Sequence, residues 1–163
     1  MSAPAVRAAI GLGANLGDAR TTIAAAIAAL ALLPLSRLVA ASSMWRSAPI
    51  DAGGPDYLNA VVLLDTSLEP EALLRELQRI ELAHGRERPY RNAPRTLDLD
   101  LLLYAERVVS TPMLQLPHPR LHERAFALRP LAEIAPDAVV PGRGPVAALL
   151  AGVARQRIDR LTP

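Results

Sequence analysis

The order of strands and helices is the feature of this sequence that most constrains its fold. Apolar runs, weak alternation and turn residues predict six elements in the first two thirds of the chain. These are a strand over 6–12, a helix over 19–33, strands over 37–46 and 57–66, a helix from Pro70 to Gly85, and a strand over 96–104. Such an order matches a split βαβ arrangement. We therefore expect an α+β, ferredoxin-like sandwich in which an antiparallel sheet carries helices packed on it.

Local signals refine this picture. Asp18 can cap the first helix, and Pro70 suits the first turn of the second. The second helix has an apolar face at helical spacing, formed by Leu73, Leu74, Leu77 and Ile80. Prolines concentrate between 112 and 145, so we expect a loop-rich C-terminal part with short helices around 122–134 and 145–154. Because no repeat or low-complexity linker interrupts the sequence, residues 1–163 are expected to form one domain.

The composition excludes several kinds of chemistry. All 18 basic residues are arginine, and cysteine is absent. The chain therefore has no lysine for a Schiff base or a phosphate loop, and no thiolate for nucleophilic attack, disulfides or zinc. Its longest uncharged stretch, Thr21–Ser36, holds Pro34 and is too short to span a membrane. Because no signal peptide is visible, we expect a cytoplasmic protein without a membrane partner. We also expect a monomer.

Two aspartates on one predicted strand are the strongest candidates for chemistry. Asp98 and Asp100 point to the same face, away from the intervening leucines, with backbones about 6.6 Å apart. Two negative charges at that distance repel by about 2.5 kcal/mol at an effective dielectric constant near 20. A Mg²⁺ ion would remove that cost, because it binds one or two carboxylates together with substrate phosphates. The alternative is a strand with one solvated face.

A cluster of arginines precedes these aspartates. It consists of Arg86, Arg88, Arg91 and Arg95. Guanidinium groups match phosphate oxygens and stay charged at any working pH. A basic loop beside a carboxylate pair suits a magnesium-bound polyphosphate. The alternative is a solvated basic loop whose arginines pair at the surface with Glu81 and Glu87.

The histidines after the last predicted strand give a weaker signal. His118 and His122 have the spacing of a helical zinc pair, but Pro119 argues against a helix that begins before His118. A phosphate contact by His118, together with Arg120 or Arg124, is therefore preferred to a zinc site. An ordinary surface loop is the alternative.

Scarce aromatic residues stand next to polar ones. Tyr57 and Phe126 could stack on a flat heterocycle, and the Asn59 amide could pair with its polar edge. Core packing is the alternative, and for Phe126 taken singly it is the better one. The segment GLGANLGD resembles a phosphate loop only weakly, and a strand-to-helix turn through Gly13, Asn15 and Gly17 explains it.

Together these segments resemble the 6-hydroxymethyl-7,8-dihydropterin pyrophosphokinases of folate biosynthesis. The matching stretches cover nearly the whole chain: GLGANLGD, SAPI, PDYLNAVV, QRIELAHGR, RNAPRTLDLDLLLY and LPHPRLHERAFALRPLAEIAP. The resemblance implies a ferredoxin-like sandwich with added elements. It also implies transfer of a pyrophosphoryl group from ATP to the hydroxymethyl oxygen of the pterin, with release of AMP.

The resemblance also implies residue roles. Asp98 and Asp100 would hold two Mg²⁺ ions and, with Arg88 and Arg95, carry catalysis. ATP contacts are implied for Gln78, Glu81, Arg88, Arg95, Leu101, His118 and Arg124, and the basic loop adds Arg86 and Arg91. Pterin contacts are implied for Gly13, Ser47, Pro49, Ile50, Tyr57, Asn59 and Phe126. The chain departs from the family at Asn92, where many members have tryptophan in a loop that closes over the nucleotide.

Two other classes of protein fit parts of the sequence. A nucleic-acid-binding ferredoxin-like domain would use the basic loop. However, no strand shows the surface aromatics that stack on bases, and a net charge of +2 is small for a nucleic-acid-binding protein. A regulatory small-molecule domain would not explain paired aspartates beside four arginines. We therefore expect ATP and the pterin as partners, and no nucleic acid.

Overall fold

An antiparallel sheet with helices on both faces organises the molecule. The computed structural model describes residues 4–15, 18–48, 56–84 and 97–162. Its strands are β1 Val6–Ala14, β2 Ser36–Ala41, β3 Trp45–Ser47, β4 Tyr57–Thr66, β5 Asp98–Tyr104, β6 Val109–Ser110, β7 Gln115–Leu116, β8 Val139–Val140, β9 Gly144–Pro145 and β10 Ile158–Arg160. Its helices are α1 Ala19–Leu30, α2 Pro70–Ala83, α3 Ala125–Ile134 and α4 Val146–Leu149, with 3-10 turns over Leu121–Glu123 and Leu150–Val153.

Six of the described strands form the main sheet, in the order β10-β3-β4-β1-β5 with β2 also paired with β4. Every pairing in this sheet is antiparallel. The mixed α and β content and the antiparallel sheet with packed helices are as the sequence predicts. The loop-rich C-terminal part is confirmed as well, because β6 to β9 are two-residue strands in two small separate sheets.

The sheet has a hydrophobic core on each face. On one face α1 packs against β1 and β4 and α2 packs against β5, which buries Ile23, Leu30, Leu73, Leu77 and Ile80. Each such side chain contributes about 1.5–3 kcal/mol on burial. On the other face α3, α4 and the 3-10 turn Leu150–Val153 form a second core with Leu128, Leu131, Val146 and Val153 among its buried members. Apart from Leu101, the functional residues predicted on β1, β4 and β5 belong to this second face.

A bulge in β5 changes which residues face each core. Ala9 pairs with Leu103 and Ile10 with Leu101, so Leu102 is an extra residue on the β5 side of the ladder. Leu101 and Tyr104 therefore belong to the core under α1 and α2, whereas Leu102 and Leu103 both face α3. Upstream of the bulge the ordinary alternation places Asp98 and Asp100 on the α3 side.

The two long helices begin where their sequence signals place them. The Asp18 carboxylate accepts hydrogen bonds from the Thr21 amide at 3.2 Å and the Thr21 hydroxyl at 2.6 Å, which lower the pKa of Asp18. Pro70 occupies the first turn of α2, as predicted. The helix expected over 19–33 ends at Leu30, because the chain turns before Pro34 and Leu35 adopts a left-handed conformation with φ +54°. Leu33 is nevertheless buried, at 4 % exposure.

Other predicted boundaries were wrong for identifiable reasons. The strand expected over 37–46 is two strands, because Glu133 of α3 accepts hydrogen bonds from the Ser43 amide and hydroxyl and from the Trp45 ring, which draws the chain out of the ladder between β2 and β3. Gly13 lies inside β1 and not in the turn after it.

The predicted C-terminal helices are also shorter or interrupted. Arg124 has extended dihedral angles (φ −121°, ψ 108°), so the segment around 122–134 divides into a 3-10 turn and α3. The segment around 145–154 divides into α4 and a second 3-10 turn. Strand β10 was not predicted, because its three residues carry too little apolar pattern to be read without the neighbouring strand β3.

In the part of the chain that the structure describes, none of the helices combines the length and apolar character that crossing a membrane requires.

Candidate active site

A cavity of about 420 Å³ lies on the α3 face of the sheet. Its floor is formed by β1, β4 and β5, and its walls by β3, the segment around His118 and the start of α3. It brings together the predicted residues Gly13, Ser47, Tyr57, Asn59, Asp98, Asp100, His118, Arg124 and Phe126. Residues that were far apart in the predicted order thus share one site.

The floor contains a row of three residues with an open centre. Gly13 pairs with Asn59 on one side and with Asp98 on the other. Because neighbouring strands lie about 4.8 Å apart, an amide and a carboxylate are separated by about 10 Å across a residue without a side chain. A Cβ atom at Gly13 would lie 3.5 Å from the Asn59 side-chain oxygen. The glycine therefore leaves room for a flat molecule between the two polar groups.

The carboxylate pair fits a hard divalent cation. Asp98 and Asp100 are both half-buried, line the same cavity and alternate with Leu99 and Leu101, which are buried in the opposite core. Among the described residues, no group of three or more His, Cys, Asp or Glu side chains could hold a metal. Two carboxylates with room for water and substrate oxygens are the donor set that Mg²⁺ uses with phosphate substrates.

His118 faces this pair as a neutral donor. Burial lowers its pKa, Arg124 and Arg120 lower it further, and Asp100 opposes them only in part. Its Nδ1 atom accepts a hydrogen bond from the Arg120 amide at 3.2 Å, so the proton of the neutral ring is on Nε2. Nε2 lies 3.9 Å from the Asp100 Oδ1 atom, which is too long for a hydrogen bond. The Nε2–H group is thus available to a phosphate oxygen.

The strand β5 holds His118 in this place. The His118 amide donates to the Leu102 carbonyl at 2.9 Å, which fixes the histidine segment at the outer edge of the strand that carries the aspartates. The second histidine of the pair, His122, lies in a 3-10 turn, and its Nε2 atom is 3.6 Å from a Glu123 carboxylate oxygen.

Arg124 and Phe126 form the α3 wall. The guanidinium carbon of Arg124 lies 5.3 Å from the centre of the Phe126 ring, within the range of a cation–π contact. Phe126 is half-buried, lines the cavity and also packs against the second core. Both predicted alternatives for Phe126, a site residue and a core residue, therefore describe part of its surroundings.

The opposite wall has a fixed hydrogen-bond pattern. The Asn59 Nδ2 atom donates to the Ser47 hydroxyl at 2.8 Å and approaches the Trp45 carbonyl at 3.5 Å. A carbonyl can only accept, so the amide nitrogen points to this wall and the Asn59 oxygen points toward Gly13. Tyr57, two residues before Asn59 on β4, pairs with Ser47. This wall presents an acceptor oxygen to any ligand above the glycine.

Three predicted ATP residues do not line the cavity. Gln78 is exposed on α2, and Leu101 is 3 % exposed in the core under α1 and α2. Glu81 is 5 % exposed, and its carboxylate accepts a hydrogen bond from the Leu99 amide at 2.8 Å. Glu81 therefore holds the edge of β5 between Asp98 and Asp100.

The remaining predicted residues lie outside the described part of the chain. They are Pro49, Ile50, Arg86, Arg88, Arg91 and Arg95.

Several cavity residues were missed by the sequence analysis. They are mostly small or apolar: Gly11, Leu12, Asn15, Ala48, Ala60, Leu102, Leu121 and Ala127. Two of them carried a usable signal, because Gly11 is two residues before Gly13 and Leu102 two residues after Asp100 on their strands.

The chain matches a protein-family model and curated relatives over most of its length. Residues 9–136 match the family model of 7,8-dihydro-6-hydroxymethylpterin-pyrophosphokinase. The chain is 45 % identical over 153 residues to 2-amino-4-hydroxy-6-hydroxymethyldihydropteridine pyrophosphokinase of Pseudomonas aeruginosa, covering 93 % of this chain and 94 % of that protein. It is 40 % identical over 159 residues to the Haemophilus influenzae protein of the same name, covering 97 % and 99 %.

Solved structures share the fold at low sequence identity. A crystal structure of Plasmodium falciparum HPPK-DHPS with pteroate superposes with a TM-score of 0.76 at 12 % identity and covers 95 % of this chain. The chain spans 44 % of the length of that protein, so the likeness concerns one part of it. The sequence matches, by contrast, extend over nearly all of their bacterial relatives. This chain belongs to the 7,8-dihydro-6-hydroxymethylpterin-pyrophosphokinase family.

Proposed function

We propose that this chain, a pyrophosphokinase of folate biosynthesis, transfers the pyrophosphoryl group of ATP to 6-hydroxymethyl-7,8-dihydropterin in the cavity above Gly13. The products are the pterin diphosphate and AMP. The observation that carries this assignment to the cavity is the row Asn59–Gly13–Asp98. An amide and a carboxylate lie on either side of an open floor, and their separation suits the length of one bicyclic ring and its substituent.

The pterin side of the site is the wall of β3 and β4 together with α3. The Asn59 oxygen accepts from the amino and ring N–H groups of the pterin edge, because its nitrogen is engaged by Ser47. Tyr57 and Phe126 enclose the ring faces, since both half-buried aromatics line the same cavity. This arrangement directs the hydroxymethyl substituent toward β5. Pro49 and Ile50 are assigned to the pterin only by the family resemblance.

The nucleotide side is the edge of β5 with His118 and Arg124. His118 donates from Nε2 to a phosphate oxygen, and Arg124 adds a fixed positive charge. Asp98 and Asp100 would hold Mg²⁺, two ions by family resemblance, and the bound ions would neutralise charge on the phosphates. The attack on the β-phosphorus is in line, with AMP as the leaving group, so catalysis consists mainly of positioning and charge stabilisation.

Further parts of the proposal rest on sequence resemblance. Arg88 and Arg95 stabilise charge on the transferred group, and Gln78 contacts the nucleotide. Nucleotide contacts by Arg86 and Arg91 rest on the basic loop alone. Replacing Arg88 or Arg95 by alanine should lower the rate by about 10- to 10³-fold. An unchanged rate would assign that arginine to the solvated loop.

The finer description of the fold is also a proposal. We propose that the sheet is ferredoxin-like, supported by the order in which β3, β4, β1 and β5 pair and by the two helices on one face. A single domain over residues 1–163, a monomeric state and a cytoplasmic location stay predictions of the sequence.

The decisive experiment measures AMP formation from ATP and Mg²⁺ with and without 6-hydroxymethyl-7,8-dihydropterin. We expect AMP and the pterin diphosphate in equal amounts only when both substrates are present. Release of ADP, or AMP formation that does not depend on the pterin, would contradict the proposed reaction. An Asp98→Ala variant serves as the inactive control.

A further inference from the structure

The start of α3 is capped by a residue from the far end of the chain. A helix leaves its first N–H groups without partners inside the helix, and an acceptor side chain at the flanking position usually binds one of them. Here that position is Arg124, whose guanidinium has only donors. Gln156 replaces it: its Oε1 atom accepts from the Ala125 amide at 2.8 Å.

The same side chain binds the other side of Arg124. The Gln156 Nε2 atom donates to the Glu123 carbonyl at 2.7 Å. An amide N–H only donates and a backbone carbonyl only accepts, so the orientation of the glutamine amide is unambiguous. Two hydrogen bonds from one side chain therefore close around Arg124, the single extended residue between the 3-10 turn Leu121–Glu123 and α3.

The segment that carries Gln156 is anchored at both ends. Before it, the Gln156 amide donates to the carbonyl of Val153, which is 2 % exposed in the second core. After it, Ile158 pairs with Ser47, and the Leu161 amide donates to the Met44 carbonyl at 2.8 Å. The C-terminal segment thus connects the wall formed by α3 with the wall formed by β3, and Gln156 is its contact with the first.

We propose that Gln156 is a positioning residue that holds Arg124 and Phe126 in their substrate-binding orientation. It lies beyond residues 9–136, the part of the chain that matches the family model. It does not reach the cavity itself, so it acts through the backbone on either side of Arg124. The inference rests on the proposed function, because it assumes that Arg124 binds the nucleotide and Phe126 the pterin.

The test compares Gln156→Ala and Gln156→Glu with the wild type in the AMP assay and in thermal unfolding. The alanine variant loses both hydrogen bonds that flank Arg124. The glutamate variant keeps an acceptor for the Ala125 amide but has no donor for the Glu123 carbonyl, so it loses the second bond. We expect kcat/KM to fall by about tenfold for both substrates, since small displacements of binding groups reduce rates strongly. The matched control is Arg155→Ala, an exposed neighbour on the same segment, which should keep the wild-type rate.

A double-mutant cycle separates positioning from general stability. In an Arg124→Ala background, Gln156→Ala should lower kcat/KM for ATP by less than about twofold, because the residue it positions is gone. Wild-type kcat/KM in both Gln156 variants, or an equal tenfold loss with and without Arg124, would overturn the proposal. If one variant does not fold, the other is measured in the same cycle. Absence of pterin-dependent AMP formation in the wild type would instead refute the proposed function.

Discussion

Replacing Gly13 by alanine tests the open floor of the cavity. The new methyl group would lie 3.5 Å from the Asn59 oxygen and 4.0 Å from the Leu58 carbonyl, both ordinary contact distances. The fold should therefore accept it. Because glycine costs a strand about 0.5–1 kcal/mol relative to alanine, the melting temperature should hold or rise by about 1–4 °C.

The same methyl group should obstruct the substrate. It extends about 1.5 Å from the backbone into the space between Asn59 and Asp98, where the pterin ring is proposed to lie. Forcing a methyl-sized group into a packed site costs about 1–3 kcal/mol, which corresponds to about 5- to 150-fold weaker pterin binding. A ring displaced from its place should also react more slowly.

Steady-state kinetics with varied pterin, and calorimetric binding of the pterin with an unreactive ATP analogue, measure these effects. The control is Gly152→Ala, because a Cβ atom there meets nothing within 4 Å and the residue lies outside the cavity. Binding of the ATP analogue alone should not change in either variant. A Gly13→Ala protein with the wild-type KM for the pterin would refute the placement of the ring above this glycine.

Three further predictions follow from the described contacts. Asp100→Asn should keep or raise the melting temperature in metal-free buffer, since it removes a repulsion with Asp98 of up to about 2.5 kcal/mol. It should nevertheless lower the rate of AMP formation by at least about 10²-fold. Mg²⁺-dependent activity near the wild-type level would contradict this. Glu81→Ala should cost about 1–3 kcal/mol in urea unfolding because the Leu99 amide loses its acceptor, and Glu81→Gln should cost less; equal stability of all three proteins would argue against that bond. Hydrogen bonding from Arg7 lowers the pKa of Asp65 below 3.8, and Arg37 adds to this while burial opposes it. A carboxyl group whose pKa is lowered in the fold stabilises it at pH values above the unfolded-state pKa, and this stabilisation is lost at acid pH. Asp65→Asn should therefore lower the free energy of unfolding by up to about 1 kcal/mol at pH 7 and leave it unchanged near pH 2. The same loss at both pH values would rule out the ion pairs as its cause.

The sequence could predict those parts of the fold that depend on local pattern. The apolar run of β4 and the helical face of Leu73, Leu77 and Ile80 are properties of short segments, and the structure has both. Boundaries failed where a distant residue decides the local geometry. Glu133 breaks the strand over 37–46 from ninety residues away, and no window of sequence around Ser43 contains that information.

The candidate site divides in the same way. The aspartates stood out because two charges alternate with leucines in one strand, and family motifs supplied the residues of the walls. The orientation of the Asn59 amide and the proton position on His118 depend on three-dimensional partners, Ser47 and the Arg120 amide. The role of Gln156 could not be predicted from the sequence, because its partners on either side of Arg124 are backbone groups, which do not depend on residue type.

The extra residue in β5 shifts the alternation of side chains between the two faces of the sheet within this strand. Up to Leu102 the even-numbered residues face the cavity side of the sheet, and beyond it the odd-numbered Leu103 turns to that face while Tyr104 enters the core under α1 and α2. An alanine scan along the strand should therefore not show a simple alternation of activity and stability defects. The two periods meet at Leu102, and deleting that residue would restore regular pairing of β5 with β1 while leaving Leu101, Leu103 and Tyr104 on their present faces of the sheet.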